Sequence, residues 1–418
     1  MADEIITGLD IGSSRIRVVV GQPMPVEDNK NQLHIIGAVD VASSGIHKGS
    51  ISSMEDAVSS ISKALERAER MTGVALNHAW VSIAGQHILV QESKGVIGVS
   101  RPDGEIQEND VERAIEAART VVTPSNYDIL HVIPKSFTVD GQHGVKDPVG
   151  MSGIRLEVDA VIIQTLSSHI KNLTKSVYRT GLEIDDLVFS PLAAAEAVLT
   201  QRQKELGVCV IDIGASTTSI AVYEEGDILH TAVLPIGGDH ITNDIAIGLR
   251  TSLEVAEEVK KEMGSAIPDD VDRKEQRSLK EFGSAEDDPV KTRFISEIIE
   301  ARAEEIFESI DDELRKIDRS GMLPVGAVLT GSSMQLPGML DVAKRVLRLP
   351  AQIGTPLGVS SVIDEVANPG YATAIGLVVW GFNISNTSHK RFGFKLPEFK
   401  ALGQITNKAK EWIKRLVP

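Results

Sequence analysis

A single cysteine, Cys209, occurs among 418 residues, so the chain can form no intramolecular disulfide and has no cysteine cluster for a structural zinc ion. Cys209 lies in an apolar run, which predicts a packed thiol in a reducing compartment. Basic residues are also few: 43 Lys and Arg face 59 Asp and Glu, a formal net charge of −16. This balance argues against nonspecific nucleic-acid binding, and we expect no nucleic-acid partner.

Long apolar runs are missing as well. No stretch approaches the ~18 uninterrupted apolar residues of a membrane-spanning helix. The N-terminal residues show no basic segment followed by an apolar one, so we expect neither export nor a membrane span. A chain of 418 residues is long for one core. Domains of about 100–200 residues predict two or more of them here.

One short motif is present twice. Residues 9–15 read LDIGSSR and residues 211–218 read IDIGASTT, so Asp10 and Asp212 lie 212 − 10 = 202 residues apart. Glycine and small hydroxyl residues let successive backbone N–H groups point at one anion. β-Branched residues follow each motif, which predicts two hairpins, and the P-loop spacing G-x-x-x-x-G-K-[ST] is absent. One such turn could be an ordinary tight hairpin, but repetition at domain-scale separation favours a nucleotide site between two lobes.

An aspartate at the end of each motif strand can hold hydrated Mg²⁺, because this ion keeps several waters and takes few protein carboxylates. We therefore predict Asp10 and Asp212 as metal residues that act through water. The predicted phosphate-binding residues are Asp10, Gly12, Ser13, Ser14 and Arg15 in the first turn, and Asp212, Gly214, Ala215, Ser216, Thr217 and Thr218 in the second.

Further small-residue turns predict contacts with the nucleoside. Residues 328–338 (VLTGSSMQLPG) indicate a buried strand, a turn and a helix from about Leu340, and the small side chains let the backbone approach a flat ring. Glu257 and Lys260 lie at i,i+3 on a predicted helix and can reach ribose hydroxyls, although an ordinary surface ion pair fits the spacing equally well. The predicted nucleoside-binding residues are Gly238, Glu257, Lys260, Gly331, Ser332 and Ser333.

These motifs stand in the order of the phosphate 1, phosphate 2 and adenosine motifs of the actin, Hsp70 and sugar kinase superfamily, which the chain resembles. Alanine-rich residues 190–197 and 368–376 are similar to its two connecting motifs. More specifically, the chain resembles the FtsA family of bacterial cell-division proteins, through LHVIP (130–134), DGQ (140–142), GMSGIRL (150–156) and ELGVCVIDIG (205–214). The resemblance implies an α/β, actin-like two-lobed ATPase fold of duplicated ribonuclease H-like domains, with ATP and Mg as cofactors.

The resemblance also implies an inserted α+β subdomain in the first lobe, which contacts neighbouring protomers in that family, and a C-terminal amphipathic helix. Within the insert we predict strands over 87–91, 95–100, 129–139 and 154–164, and a helix capped by Asn109 with Val122 on its apolar face. The predicted domains are a first lobe at 1–84 and 166–196, the insert at 85–165, a second lobe at 197–383 with its outer subdomain at about 238–305, a flexible linker at 384–398 and the amphipathic helix at 399–418.

Residues 264–289 are polar and charged, which predicts a solvated loop, and a helix follows over 292–315. Arg302 on this helix matches an arginine that, in the resembled family, lies where the tail peptide of the tubulin homologue FtsZ docks. A plain alternative is a helix-surface charge paired with Glu305 at i,i+3.

The last residues predict an amphipathic helix after a linker rich in Asn, Ser and Thr. An apolar face with a tryptophan and a basic polar face are typical of helices that lie on anionic lipid, and the family carries a similar anchor. The alternative is a terminal helix that packs on the body. The predicted membrane residues are Leu402, Ile405, Lys408, Trp412, Ile413, Lys414, Arg415 and Leu416.

The resemblance implies an ATP-binding protein that polymerises on the cytoplasmic membrane at the division site, anchors FtsZ filaments and recruits later division proteins. Ser190 stands where chaperone relatives have a glutamate, and Arg15 stands where many relatives have a phosphate-contacting lysine. No catalytic residue is identified, so nucleotide binding is better supported than hydrolysis, which we expect to be slow at most. The alternatives are a type IV pilus assembly adaptor, which normally lacks the tail, and a small-molecule kinase, for which no general base is evident.

Overall fold

The computed structural model describes residues 5–26, 30–120, 124–285 and 288–389. Its strands are β1 (Ile6–Ile11), β2 (Arg15–Val26), β3 (Lys30–Ala42), β4 (Ile46–His47), β5 (Ser50–Ile51), β6 (His78–Ile83), β7 (Ile88–Gly98), β8 (Tyr127–Val139), β9 (Gln142–Val145), β10 (Arg155–Leu166), β11 (Glu183–Phe189), β12 (Val208–Ile213), β13 (Thr218–Glu224), β14 (Asp227–Leu234), β15 (Gln276–Ser278), β16 (Pro289–Lys291), β17 (Gly326–Thr330), β18 (Ala351–Ile353) and β19 (Val359–Ser361). Its α-helices are α1 (Met54–Thr72), α2 (Glu108–Arg119), α3 (Ser167–Tyr178), α4 (Ser190–Val198), α5 (Gln201–Leu206), α6 (Gly238–Leu249), α7 (Leu253–Met263), α8 (Thr292–Lys316), α9 (Met339–Leu347) and α10 (Ala372–His389).

Two lobes are built on the same strand pattern. In the first, the sheet order is β11-β6-β1-β2-β3-β19, with β1 antiparallel to β2 and parallel to β6. In the second, the order is β14-β13-β12-β17-β18, with β12 antiparallel to β13 and parallel to β17. In both, a hairpin is followed by a strand parallel to its first member. The two hairpin turns are therefore at equivalent edges of their sheets.

Helices cover these sheets with apolar stripes at helical spacing. Helix α1 buries Ala57, Ile61 and Ala64 toward the first sheet, and it ends at Gly73, whose left-handed φ of 71° a β-carbon would disfavour. Helix α8 buries residues at the same spacing from Ile295 onward. One contiguous core fills the first lobe and extends into the second, where it includes Val208, Ala221 and Val328. A second core fills the rest of the second lobe.

The inserted subdomain is a separate four-stranded sheet in the order β7-β10-β8-β9, with α2 packed on one face. The two strands predicted over 87–91 and 95–100 are one continuous strand, β7. Gly95 lies within it because α2 passes so close that a β-carbon there would meet the Ala114 carbonyl oxygen at 2.0 Å. Helix α2 begins two residues earlier than predicted: Gln107, not Asn109, is the N-cap, and its N–H donates to the Asp110 carboxylate at 3.1 Å.

Helices α4 and α10 cross between the lobes at very short range. A β-carbon at Gly376 would come within 1.7 Å of the Ala193 carbonyl oxygen, so only glycine permits this approach. The predicted linker from residue 384 begins inside α10, which continues to His389. The predicted membrane residues, like Val122 of the insert, lie outside the described residues.

The outer part of the second lobe is more ordered than the predicted loop over 264–289. It contains 3₁₀ turns at Pro268–Asp270 and Leu279–Phe282 and a short hairpin of β15 and β16. Leu279 and Phe282 are buried, so this segment adds to the core despite its polar composition. These two apolar side chains, three residues apart, attach a mostly charged segment to the core of the second lobe.

Candidate functional site

The two motif turns face one cleft between the lobes. The amide of Gly12 donates to the Arg15 carbonyl at 3.0 Å, and the amide of Gly214 donates to the Thr217 carbonyl at 3.0 Å. Both turns line an open cleft of about 670 Å³. Its lining is Asp10, Ile11, Gly12, Ser13, Ser14, Arg15, Arg17, Gly49, Ala84, Ser190, Asp212, Gly214, Ala215, Ser216, Thr217, Ser219, Gly331, Ser332 and Gly370.

Asp10 and Asp212 lie on the floor of this cleft, partly buried by surface area and enclosed by protein. The Ser82 hydroxyl donates to Asp10 at 2.7 Å, and the Thr373 hydroxyl donates to Asp212 at 3.1 Å. Desolvation raises the pKa of Asp10, and desolvation followed by the charge of Asp10 raises the pKa of Asp212 to about 6. The two carboxylates thus repel each other, and a cation between them would relieve that repulsion.

Arg17 is the cation that faces both aspartates, and its role is not evident from the motif itself. Its Nε pairs with the Asp40 carboxylate at 3.1 Å, and its Nη2 donates to Ser332 Oγ at 2.7 Å. The guanidinium also lies over the Tyr371 ring, 5.4 Å from its centroid. Arg17 therefore joins the first lobe to the turn at Gly331 and Ser332 in the second.

Arg15 was the arginine that the sequence placed at the phosphates, and it lies at the mouth of the cleft. Its side chain is 44% exposed and pairs with Asp40 at 3.2 Å. Side chains alternate along a strand, so Arg15 and Arg17 of β2 point to the same face. That alternation was the signal in the sequence that could have identified Arg17.

Most predicted residues of the second turn line the cleft. Ser216 donates to Asp239 at 2.8 Å, which orients its hydroxyl at the turn. Thr218 is an exception: it is fully buried in β13, and its hydroxyl donates to the Ile236 carbonyl at 2.8 Å. Thr218 does not face the cleft.

The predicted nucleoside residues form one connected layer behind the second turn. The Gly214 carbonyl accepts from the Gly238 amide at 3.0 Å and from the Ser333 hydroxyl at 3.0 Å. Gly331 has a left-handed φ of 93°, and a β-carbon there would lie 2.5 Å from Asp212 Oδ1, so only glycine fits. Of this group, Gly331 and Ser332 reach the cleft surface.

Glu257 and Lys260 contact each other rather than the cleft. Lys260 Nζ lies 2.5 Å from Glu257 Oε2, and both side chains bond the Thr242 hydroxyl. Lys260 also donates to the Gly238 carbonyl at 3.3 Å, which links the pair to the turn at Gly237 and Gly238. The ion-pair interpretation describes this geometry, and contact of either residue with ribose stays a prediction.

The donor set fits a magnesium nucleotide. No group of three or more His, Cys, Asp or Glu side chains in the described part of the chain could hold a metal by itself. One or two carboxylates are the usual protein ligands of Mg²⁺ when water and phosphate oxygens complete its shell. Gly331 lies at the cleft surface and packs closely against Asp212, and Arg17 supplies charge for an anion.

Sequence reasoning did not include several other lining residues. Gly49 and Ala84 enter from loops far from the motifs, and Gly370 approaches so closely that a β-carbon would lie 3.1 Å from Arg17 Nη2. Ser190, at the start of α4, lines the cleft, but its hydroxyl donates to the Ile83 carbonyl at 3.2 Å. Ser190 and Gly370 belong to the two connecting motifs, whereas no motif marks Gly49 and Ala84, because their position depends on how loops of the first lobe fold back.

Arg302 lies away from the cleft, on α8. Its guanidinium forms two bonds with the Asp244 carboxylate of α6, at 2.5 and 3.0 Å, and its Nη1 bonds Glu305 at 2.6 Å. The predicted pairing with Glu305 is confirmed, and Asp244 is an additional partner. The docking role stays a prediction.

Comparisons with known proteins agree with this fold. A family model described as "Cell division protein FtsA" matches residues 209–376, and one described as "SHS2 domain inserted in FTSA" matches residues 85–164. The chain is 40% identical to the cell division protein FtsA of Bacillus subtilis (95% of this chain, 88% of that protein) and 37% identical to that of Pseudomonas aeruginosa (90% and 89%). The Escherichia coli K12 protein of the same name is 32% identical, with 99% and 96% covered.

Solved structures show the same architecture at low identity. A chain of the PilM-PilN type IV pilus biogenesis complex superposes with a TM-score of 0.64 at 16% identity (90% of this chain, 98% of that chain). MreB5 of Spiroplasma citri bound to ADP superposes with a TM-score of 0.55 at 14% identity (93% and 99%). At these identities the likeness shows the fold alone.

The two-lobed sheets and the shared cleft define an actin-like protein with an inserted subdomain, as the sequence predicts. The relatives at 32–40% identity over nearly the whole length go further. The chain belongs to the FtsA family of bacterial cell-division proteins. The pilus-adaptor alternative gains only a likeness of fold.

Proposed function

We propose that this protein binds ATP in the cleft, polymerises on the cytoplasmic side of the cell membrane at the division site, anchors FtsZ filaments there and recruits later division proteins. The observation that carries the proposal is the meeting of two aspartate-glycine turns from separate lobes, in a chain of the FtsA family. A ligand held by both turns would fix the lobes relative to each other. Self-association would then depend on the nucleotide.

Roles in the site follow from the chemistry of its residues. Asp10 and Asp212 would hold hydrated Mg²⁺, which neutralises phosphate charge when bound. The Gly12 and Gly214 turns present small residues and backbone to the phosphates, and Arg17 adds a charged donor. Ser332 and Gly331 would receive the nucleoside.

The cleft offers little for hydrolysis. An attacking water needs a group that positions it in line with the γ-phosphate. The carboxylates among the lining residues are Asp10 and Asp212, and both are assigned to the metal. The Ser190 hydroxyl is engaged with a backbone carbonyl. We therefore propose a nucleotide switch with slow turnover at most, rather than a kinase.

The outer second lobe carries a surface suited to a peptide. Helices α6 and α8, which Arg302 joins through Asp244, also border a cavity lined by apolar and basic side chains and one glutamate: Leu249, Arg273, Pro289, Val290, Lys291, Arg293, Phe294 and Glu297. An exposed apolar patch with basic flanks is typical of a docking site for an acidic, partly apolar segment. We propose that the FtsZ tail peptide binds along this face with Arg302.

Membrane attachment is proposed through the C-terminal residues. No helix in the described part of the chain is long and apolar enough to cross a bilayer. A single short amphipathic anchor binds weakly, so several anchors on one polymer would act together through effective concentration. The predicted location is therefore peripheral and dependent on assembly.

Co-sedimentation with anionic liposomes tests this attachment. We expect the full chain to pellet, more so with ATP, and a chain ending at His389 to remain in the supernatant. Trp412→Glu should release the full chain, whereas Gln404→Glu, which adds the same charge on the predicted polar face, should not. Equal pelleting of the full and shortened chains would reject the anchor.

Fluorescence anisotropy with a labelled FtsZ tail peptide tests the docking surface. Arg302→Glu should weaken binding by about tenfold or more, because a charge-assisted contact becomes a repulsion. Arg345→Glu is the matched control, since Arg345 also pairs with carboxylates of α8, Glu300 and Glu304. Equal losses for the two variants would reject a specific role of Arg302.

A further inference from the structure

The inserted subdomain belongs to the first lobe by chain connection, yet it contacts the second lobe directly. Lys146, just after β9, forms an ion pair with Asp227, the first residue of β14. Its Nζ also donates to the Glu225 carbonyl at 3.2 Å. One lysine of the insert therefore holds both sides of the turn between β13 and β14.

That turn is a firm attachment point. Glu225 is in the left-handed region, with φ of 55°, and its amide donates to the Glu205 carbonyl at 3.1 Å. The next amide, of Gly226, donates to the Lys204 carbonyl at 3.2 Å. Lys204 in turn pairs at 2.6 Å with Glu196 of α4, the helix that crosses α10 between the lobes. The contact is thus tied to the hinge.

On the insert side of the contact, the residues around Lys146 are also held in place. Val145, next to Lys146, is buried in the core of the insert and pairs with Phe137 of β8. A second lysine of the insert, Lys135 of β8, pairs with Glu92 at 2.8 Å. Its positive charge also lowers the pKa of Asp227. Two lysines of the insert therefore point their charge at one aspartate of the second lobe.

We propose that Lys146 and Asp227 couple the insert to the second lobe, so that opening of the cleft and displacement of the insert are one movement. The lobes also meet through a shared core that includes Val208 and Val328, at the crossing of α4 and α10 and, inside the cleft, through Arg17 and Ser332. The Lys146 contact is separate from these. Exposed ion pairs are individually weak and reversible, so this one suits a contact that sets position without determining folding.

Distance measurements by double electron–electron resonance test the coupling in the nucleotide-free protein. Spin labels on cysteines that replace Glu112 and Lys344 report the distance from insert to second lobe, and labels at Lys63 and Lys344 report the distance between the lobes. All three positions are exposed. Native Cys209 is buried and its thiol pKa is raised to about 12 by desolvation, so it should not label.

Lys146→Glu and Asp227→Lys should each increase the width of both distance distributions by about a factor of two. Without the ion pair, more positions of the insert relative to the second lobe become populated. The double variant Lys146→Glu, Asp227→Lys should narrow both again. Lys94→Glu is the matched control: Lys94 is 48% exposed against 52% for Lys146, and it pairs with Glu157 and Asp159 inside the insert.

Two results would overturn the proposal. Unchanged distributions in both single variants would show that the contact does not hold the insert. A broadened insert distance with an unchanged lobe distance would show that the insert swings independently of the cleft. If a charge reversal prevents folding, Lys146→Gln removes the pair without repulsion, and the same two distances are read. None of these readouts depends on nucleotide binding.

Discussion

In both lobes the motif glycine closes its turn in the same way, by donating to the carbonyl three residues later at 3.0 Å. The side chains around the two turns differ. The first is flanked by Arg15 and Arg17, both paired with Asp40. The second carries no cation and presents the hydroxyls of Ser216 and Thr217. The two turns thus share one backbone conformation, but charged side chains flank the first turn and neutral hydroxyls flank the second.

The difference assigns separate tasks to the two turns. Charge next to a carboxylate pair keeps that pair ionised, whereas neutral hydroxyls orient a ligand without competing for the metal. Arg17 lowers the pKa of both Asp10 and Asp212 against the larger effect of desolvation. The first turn therefore sets the electrostatics of the whole cleft, and the second refines its geometry.

The largest effect is expected from Asp212→Asn. A pKa raised from 3.8 to about 6 means that the folded protein binds this proton more tightly than the unfolded chain does. Stability therefore falls as pH rises from about 4 to 6 and stays lower above, by on the order of 3 kcal/mol. The variant should unfold at higher denaturant concentration at pH 7.5 and lose binding of magnesium nucleotide.

Urea unfolding at pH 5 and pH 7.5 checks the sign. The gain from Asp212→Asn should be smaller at pH 5, where the wild-type carboxyl is mostly protonated, than at pH 7.5. Asp10→Asn should show a gain of the same sign, since desolvation raises its pKa too. A loss of stability at pH 7.5 in both variants would contradict the electrostatic account of the cleft floor.

Next in size is the loss caused by Arg17→Met. Removing a charged donor from a partly enclosed site should weaken ATP binding by about 10- to 100-fold, or roughly 1.5–3 kcal/mol. Arg15→Met, at the exposed mouth, should weaken it by less than about threefold. Titration with a fluorescent ATP analogue measures both. Equal losses for the two variants would remove the distinction between the inner and outer arginines.

Ser216→Ala should have the smallest effect. A neutral hydrogen bond contributes about 0.5–1.5 kcal/mol, so nucleotide affinity should fall by about two- to tenfold. Thr218→Val is the matched control, because the Thr218 hydroxyl bonds the Ile236 carbonyl outside the cleft. Its nucleotide affinity should stay at the wild-type value, as read in the same titration. A larger loss for Thr218→Val than for Ser216→Ala would contradict the assignment.

The turns could be predicted because their signal is local. Asp, Gly and Ser at fixed spacing determine a hairpin whatever surrounds it, and the same spacing recurs in both lobes. Arg17 was missed since it lies two residues beyond the turn and becomes important only when Ser332, 315 residues later, comes within 2.7 Å. Long-range pairings of this kind are not encoded in a motif.

The spacing of residues along a predicted helix, in contrast, showed which side chains share a face but not which other residues that face contacts. Glu257 and Lys260 do lie on one face of α7, yet both bond Thr242 of α6, which spacing cannot reveal. The sequence predicted two strands, over 87–91 and from Gly95 to 100, whereas β7 is continuous. Gly95 is required within it by the close passage of α2 over β7. Tertiary packing decides such positions.

The central claim is that the two turns form one nucleotide site. Isothermal titration of the whole chain with MgATP tests it most directly, with the Asp212→Ala, Gly331→Trp double variant as comparison and circular dichroism to confirm that the variant folds. The account predicts one ATP per chain and no detectable binding to the folded variant. Unchanged affinity in that variant, or a wild-type chain that binds no nucleotide, would contradict it.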